Sequence, residues 1–210
     1  EFGLDNPELV VIARIQEDDA DFQLSIGKET PTASGYYARV GDTPAVMTIS
    51  TNAKTSLDKT MYDLRDKTIL DFDPAQVKQA VLTIKDADTG TTQEITLAHT
   101  DEDLWKIVTP KDYNADKTVV DSLLSKVKSS QIKEFIAEES QNLKQYGLDQ
   151  PNITLSLVVG EDNSRKTLLL GNPNKIIDGA YAKHESAENI FLVPTTLFEE
   201  FPRTLNDFRD

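Results

Sequence analysis

The sequence contains no cysteine, and this absence excludes disulfides, thiolate catalysis and every cysteine-based metal site. Basic residues are also scarce, because 22 Lys and Arg stand against 36 Asp and Glu and leave a formal net charge of −14. Such a surface repels a phosphate backbone, so the composition argues against nucleic acid as a partner. No apolar run approaches the roughly 18 residues that a membrane-spanning helix needs. We therefore expect any membrane contact to be made by a segment outside this chain.

Motifs for catalysis and for nucleotide binding are missing as well. The sequence has no Gly-x-Ser-x-Gly nucleophile elbow, and neither Gly-x-Gly-x-x-Gly nor Gly-x-x-x-x-Gly-Lys occurs. The run from Asp86 to Gly90 begins like a calcium loop, but its glycine is at position five instead of six, and Leu97 stands where the bidentate glutamate would be. A hairpin turn is predicted there instead. We expect no enzymatic activity, no cofactor and no bound nucleotide.

Only two histidines are available as metal ligands, and they are far apart in the pattern. His184 lacks the second histidine at i+4 that a zinc-binding helix requires. We therefore predict exposed loop positions for His99 and His184 instead of a metal site. The many acidic residues offer carboxylate pairs in any arrangement, so they give no specific signal for a hydrolase that works with two carboxylates.

An internal repeat is the strongest pattern in the sequence. Residues 2–7 return as residues 146–151, an offset of 144, and the gapless alignment of residues 1–66 with 145–210 contains 16 identities. Each copy has the runs of four strands followed by a helix. The helices are predicted from apolar residues at helical spacing, namely Ala53, Leu57, Met61 and Leu64 in the first copy and Leu197, Phe198, Phe201, Leu205 and Phe208 in the second.

A different unit lies between the two copies. It has three strand runs in a meander, then a helix that begins near Thr118, then a second helical stretch marked by Ile132 and Phe135. Strand runs followed by helix runs favour an α+β fold of antiparallel sheets with helices on one face. The predicted organisation is a first copy at residues 1–72, a middle unit at 73–145 and a truncated second copy at 146–210.

The repeated Gly-Leu-Asp-x-Pro motif has a structural explanation that needs no ligand. Gly147 follows a short helical run at 141–146 and is predicted to end it in the left-handed conformation, while Pro151 prevents any continuation. The first copy begins at the same motif, so we expect the chain to be a piece of a longer protein. The residues of this structural motif are Gly3, Asp5, Pro7, Gly147, Asp149 and Pro151.

Three further residues are candidate contacts for a partner. Arg65 and Arg209 recur at helix ends, where an arginine favours the helix dipole and its guanidinium could hold Asp5 or Asp149 of the same copy. Trp105 is the only tryptophan, and its strand position fits a half-buried sheet anchor better than an interface hot spot. A structural role is the stronger interpretation for all three.

Several of these patterns together resemble one bacterial family, the domain of unknown function 4340. The similar segments are Tyr-Gly-Leu-Asp-x-Pro at 146–151, Leu-x-Leu-Gly at 168–171, Gly-x-Tyr-Ala at 179–182, the helix end at 61–67, with Met61 for the first leucine, and the strand, Trp and helix region at 81–135. The resemblance covers essentially the whole chain. It implies a membrane anchor, a location outside the cytoplasm, and for some members an association with ABC-type transporters.

The sequence and this resemblance favour a non-catalytic extracytoplasmic scaffold or partner-binding module of a membrane-anchored bacterial protein. It is expected to contact a protein partner in the cell envelope, and an accessory role to an ABC-type transporter is one form of this hypothesis. The alternative is an envelope module that binds glycan or peptide in a groove between units. A carboxylate-dependent hydrolase is the third hypothesis. An apolar surface patch would favour the first, an aromatic-floored cleft the second, and close carboxylates with raised pKa the third.

Overall fold

The computed structural model describes residues 1–15, 20–86, 89–100, 102–139 and 142–210. The chain divides into two compact units, Glu1–Arg65 and Asp66–Asp210. Each unit contains its own antiparallel sheet together with short helices. The α+β class predicted from the strand and helix runs is therefore confirmed.

The first unit is a four-stranded sheet whose neighbours follow the order of the sequence. Its strands are β1 (Leu9–Ile15), β2 (Ala20–Glu29), β3 (Gly35–Val40) and β4 (Met47–Ser50). Each pairs antiparallel with the next, so β1 and β4 form the two edges. The β-branched and aromatic residues of these runs suit a pleated, half-buried surface, which is why they form strands.

Two short helices follow this sheet where the sequence predicted one. Helix α1 (Thr51–Leu57) begins at the Ser50 cap, whose hydroxyl accepts a hydrogen bond from the Ala53 amide, and α2 (Met61–Leu64) begins at a separate capping box. That box pairs Thr60 and Asp63, each accepting the other's backbone N–H. The second cap restarts the helix after a break at 58–60, so the prediction of a single helix is wrong.

The second unit is built on a larger sheet of nine strands within the described residues. Those before the second copy are β5 (Val77–Lys85), β6 (Thr92–His99), β7 (Trp105–Thr109), β8 (Tyr113–Ala115) and β9 (Glu134–Ala137). Those of the second copy are β10 (Ile153–Val159), β11 (Ser164–Asn174), β12 (Gly179–His184) and β13 (Ile190–Pro194). Their order across the sheet is β8-β7-β6-β5-β10-β11-β12-β13-β9, with every pair antiparallel.

The internal repeat is present in the fold. The four strands of the second copy follow one another as β1 to β4 do, and β10 is displaced from β1 by the offset of 144 at both ends. The registers agree too, since Leu9 faces Ile26 and Ile153 faces Leu170. Even the bulges coincide, after Ile26 in β2 and after Leu170 in β11. The two copies thus have the same strand order, as the offset predicted.

One face of the nine-stranded sheet carries the core of the second unit. Helix α3 (Lys117–Ser129) begins at the Asp116 cap and buries Val120, Leu123, Leu124 and Val127 on that face, the i, i+3, i+4, i+7 stripe of an amphipathic helix. The loop segment 69–72 joins the same cluster. Two short helical pieces of the second copy complete it, α4 (Thr195–Glu199) and the 3₁₀ turn Leu205–Phe208, on either side of Pro202.

The middle segment differs from its prediction in two respects. The second predicted helix, around Ile132 and Phe135, is instead the edge strand β9, held to β13 by ladder pairing and by the Lys133 amide donating to the Leu192 carbonyl. A fourth strand, β8, continues the meander beside β7. The hairpin turn between β5 and β6 is confirmed, because the Asp86 carboxylate accepts the Thr89 amide at 2.7 Å. Ala87 and Asp88, also part of the calcium-like run, lie outside the described residues.

The boundaries of the compact units differ from the three segments predicted from the repeat. The first unit ends at Arg65 instead of residue 72, because residues 69–72 pack in the core of the second unit. Residues 73–145 and 146–210 do not form separate bodies, since β5 pairs with β10 along its whole length. The middle segment is therefore an extension of the second copy's sheet.

Candidate functional site

The Gly-Leu-Asp-x-Pro motif begins each copy with a left-handed glycine. Gly3 has φ +75° and Gly147 has φ +68°. The Gly147 amide donates to the Lys144 carbonyl at 3.1 Å, and the Leu148 amide donates to the Leu143 carbonyl at 3.0 Å, which closes the 3₁₀ turn Leu143–Tyr146. The predicted helix stop is thus confirmed, although residues 140–141 lie outside the described residues.

The same motif packs against a glycine that lies within the second strand of each copy, Gly27 in β2 and Gly171 in β11. A Cβ on Gly171 would lie 2.2 Å from the Tyr146 carbonyl oxygen, and one on Gly27 would lie 2.3 Å from that of Phe2. The motif leucines Leu4 and Leu148 are buried, whereas the motif aspartates are exposed. Gly27 and Gly171 therefore allow the backbone of the second strand to approach the backbone of the motif within each copy. We call this contact between the motif and the second strand the clasp.

Alanine at Gly147 should lower the free energy of unfolding by about 2 kcal/mol, since an L-residue in the left-handed region costs about 1–2 kcal/mol. Its Cβ would also lie 2.4 Å from the Asn172 side-chain oxygen. Gly90 is the control, because its φ is +69° and a Cβ there meets nothing within 4 Å. Urea unfolding of the full chain should show the larger loss for Gly147→Ala, and equal losses would contradict the contact.

Trp105 lies in the core instead of at the surface. It is 3% exposed, against the half-burial that the sequence predicted, so its ring is not available to a partner in this structure. Its indole Nε1–H donates to the Asp121 carboxylate at 3.3 Å, and the His99 ring lies 4.8 Å from it, centroid to centroid. Trp105 thus anchors β7 against α3, and it lines a cavity together with His99, Asp103 and Lys117.

Polar and charged side chains form a network beside this tryptophan. His99 Nε2 is 3.0 Å from Asp103 Oδ1, Lys117 Nζ lies 3.0 Å from the same oxygen, and Lys117 also reaches Asp121 at 3.3 Å. The hydrogen bond from Lys117, followed by that from His99, lowers the pKa of Asp103. The bond to Asp103 and then that to Asp121 raise the pKa of Lys117. Both shifts favour the charged forms, so the cluster is an ion-pair network.

Lys117→Met should raise the pKa of Asp103 toward its ordinary value, because the largest cause of its lowering is removed. A lowered folded-state pKa stabilises the fold above the unfolded pKa, and this contribution is lost as the pH falls through the folded pKa. The variant should therefore lose less stability on acidification. Carbon NMR of the Asp103 carboxyl group measures the shift, with exposed Lys106→Met as control. An unchanged titration of Asp103 would show that the Lys117 contact is not formed in solution.

The two histidines occupy strand positions, so the prediction of exposed loops is wrong. His99 is the last residue of β6, and its side chain is 26% exposed. His184 ends β12, where its Nε2 contacts the Ile69 carbonyl and its ring lies 5.2 Å from that of Phe191. Among the residues that the structure describes, no group of three or more His, Asp or Glu side chains could hold a metal ion.

The two repeated arginines each follow a helical turn, as predicted. The Arg65 amide donates to the Met61 carbonyl at the end of α2. The Arg209 guanidinium lies 4.2 Å from the centroid of the Tyr113 ring, a cation–π contact with β8, and it also reaches the Asn206 side chain at 3.5 Å. Arg209 is therefore engaged within the second unit, through groups other than the Asp149 carboxylate that the sequence suggested.

An apolar surface of the first copy was not anticipated from the sequence. In the second copy, six side chains in the core are at most 2% exposed: Ile153, Leu155, Leu168, Phe191, Phe201 and Phe208. The offset of 144 aligns them with six apolar residues of the first copy, none of which is buried. We call these six residues the open face: Leu9, Val11, Leu24, Met47, Leu57 and Leu64.

The open face is most accessible where the helices follow the sheet. Met47 is 43% exposed, Leu57 39% and Leu64 72%, and the neighbouring Met61 is 78% exposed. Single exposed apolar residues are ordinary, but a group on one face points to an interaction surface. The sequence already shows apolar residues at the aligned positions of both copies. Only the structure shows that these residues are buried in the second copy and not in the first.

The edges of the first sheet are uncovered as well. In the second copy, β5 pairs with β10 and β9 pairs with β13. The corresponding strands β1 and β4 have no neighbour on that side among the described residues. An edge strand presents unpaired backbone N–H and C=O groups, so β1 offers hydrogen bonds beside the open face.

The fold and these surfaces define an α+β protein with a duplicated unit of four strands and short helices, one copy having a covered core face and the other an open one. The chain belongs to the family described as Domain of unknown function (DUF4340), whose model matches residues 1–103 and 105–210. The two matched segments each contain one copy of the repeat. Among curated proteins and among solved structures, no match is found. No helix in the described part of the chain has the length and apolarity needed to cross a membrane.

Proposed function

We propose that the chain is a non-catalytic partner-binding module, and that it works outside the cytoplasm as part of a membrane-anchored bacterial protein. The open face is the observation that carries this proposal, because its residues are partly or fully exposed while the residues aligned with them in the second copy are core residues. An apolar surface bordered by a free strand edge fits a protein partner. The location and the role beside an ABC-type transporter rest on what the family resemblance implies.

The pKa shifts of the carboxyl groups support a hydrolase less than they support a binding module. A carboxylic acid that protonates a leaving group near neutral pH needs a raised pKa. Among the described residues, the carboxyl groups with a resolved shift are all lowered, as at Asp71, where the Lys128 hydrogen bond is the main cause. The proposal of a module without catalysis is consistent with these directions.

The glycan-binding alternative also has less support. Sugar-binding clefts present exposed aromatic faces, and the only tryptophan, Trp105, is 3% exposed and has its indole N–H bonded to Asp121. Among the exposed aromatic residues, Phe22 is 51% exposed and lies on strand β2 of the four-stranded sheet. A peptide would bind as a strand added at an edge, which is a form of protein binding.

The experiment that tests the proposal is chemical crosslinking of the full-length protein in intact cells of the native host, followed by fractionation. We expect the protein in the envelope fraction, joined to an envelope or transport protein in a reproducible complex. Cytoplasmic recovery without crosslinks would contradict it. Turnover of a glycan or peptide that disappears when a carboxylate is mutated would replace it with the hydrolase.

A further inference from the structure

We propose that the open face and the β1 edge are covered by the upstream segment, meaning the part of the same polypeptide that directly precedes residue 1. The second copy is the template, because the residues that cover its core face and its strand edges, 69–137, lie before that copy in the chain. The upstream segment is then the first partner of the proposed binding module, so this cover rests on the proposed function.

The strand edges show which strands the upstream segment must contain. In the second copy, β5 pairs with β10 and brings Leu82 opposite Leu155, both of them buried, while β9 pairs with β13. Strands β1 and β4 are the counterparts of β10 and β13 at the offset of 144. The upstream segment therefore supplies a strand for each edge. The strand beside β1 needs apolar residues at every second position.

The helix of the upstream segment follows from the contacts of α3. The apolar stripe of α3 is buried in the same core as Phe201 and Phe208, and the Asp116 amide at its start donates to the Phe208 carbonyl at 2.8 Å. At the offset of 144, Leu57 and Leu64 of the open face replace these two phenylalanines. An amphipathic helix that follows the first upstream strand would bury both leucines in the same way.

The chain enters both copies with the same geometry. The Phe2 ring lies 4.7 Å from the Tyr37 ring, centroid to centroid. In the second copy, the Tyr146 ring lies 4.9 Å from that of Tyr181. The residue that follows each of these entering aromatic residues is a left-handed glycine, and the clasp fixes the backbone there. The polypeptide before residue 1 therefore approaches the first copy as residues 142–145 approach the second.

The upstream segment is favoured over the other polypeptides that could lie on the open face. Residues 77–129 of the chain are already engaged, since β5 pairs with both β6 and β10 and the stripe of α3 is buried. The same residues are engaged in a second molecule. A separate protein would lose translational and rotational freedom on binding, whereas a segment joined to the first copy is held beside it at a high effective concentration.

Site-specific photo-crosslinking of the full-length protein in its native host tests this cover. The photoreactive residue p-benzoylphenylalanine replaces Leu64 on the open face or Ile12 on β1, and Ile176, which is 96% exposed in the second unit, is the control position. We expect both test positions to crosslink within one polypeptide, which leaves its molecular mass unchanged. Peptide mapping by mass spectrometry should place the Leu64 link on an upstream helix and the Ile12 link on an upstream strand. The control position should give neither.

Hydrogen exchange of the full-length protein provides a second, independent measurement. The upstream strand protects the amides of β1, and Leu64→Glu places a charge against the apolar stripe of the upstream helix. This variant should speed the exchange of the protected β1 amides at least about tenfold. Ile176→Glu should leave their exchange unchanged. Exchange of β10 should be the same in both variants, which would restrict the effect to the first copy.

The other outcomes overturn the cover by the upstream segment. A crosslink that adds the mass of a second copy would indicate a face-to-face dimer. A crosslink that adds the mass of a different protein would make the open face an intermolecular site, and the proposed function would stand without the upstream segment. If neither test position crosslinks and Leu64→Glu leaves the exchange of β1 unchanged, the open face is uncovered, and it supports neither this cover nor the proposed function.

Discussion

Phe208→Ala should lower the free energy of unfolding of the second unit by about 3–5 kcal/mol, the usual cost of emptying a buried phenylalanine site. Phe208 is 0% exposed and belongs to the core cluster, and its carbonyl also receives the Asp116 amide at the start of α3. The cavity would open between the 3₁₀ turn and that helix. Urea unfolding of the full chain, followed by fluorescence of the buried Trp105, measures the loss.

The repeat supplies a matched control for this substitution. Leu64 occupies the same position in the first copy but is 72% exposed, so Leu64→Ala should change the stability by less than about 0.5 kcal/mol. A large loss for Leu64→Ala would mean that the open face is covered within the isolated chain. A small loss for Phe208→Ala would mean that the core of the second unit is not closed at this turn.

The architecture could be predicted from the sequence because strand periodicity and the repeat are local or internal signals. The strands of both copies and the left-handed Gly147 follow from apolar runs, turn residues and a helix stop. The capping box at Thr60 was equally readable, but the apolar spacing of Leu57 and Met61 suggested a continuous helix. Local capping decided that element, because the stripe has no core to pack against in the first copy.

The environment of the candidate residues could not be predicted in the same way. Phe135 has the spacing of a helix, yet it pairs with Phe191 across the sheet, a contact between residues far apart in sequence. His184 reaches the Ile69 carbonyl over a longer separation, 115 residues. The open face is a further example, since residues of the same apolar character are buried in one copy and partly or fully exposed in the other. Tertiary contacts, not residue type, determine these differences.

Gly171→Ala should cost about 3 kcal/mol, at the upper end of what an added methyl group costs in a packed site, because the group it meets is backbone. The new Cβ would lie 2.2 Å from the Tyr146 carbonyl oxygen and 3.1 Å from the Gly147 carbonyl carbon. Neither atom can move without displacing the clasp that begins the second copy. The φ of Gly171 is not in the left-handed region, so steric overlap is the sole cause of the loss.

Gly90→Ala separates overlap from conformational strain, because it adds a methyl group in open space at a left-handed residue and should cost about 1 kcal/mol. The equivalent substitution in the first copy, Gly27→Ala, should destabilise that unit for the same reason as Gly171→Ala, since its Cβ would lie 2.3 Å from the Phe2 carbonyl oxygen. Hydrogen exchange should then show lost protection in β1 and β2 for Gly27→Ala and in β10 and β11 for Gly171→Ala. If Gly171→Ala lowers the free energy of unfolding no more than Gly90→Ala does, the backbone of the clasp can move to accept the methyl group. The recurrence of glycine at this position in both copies would then require another cause.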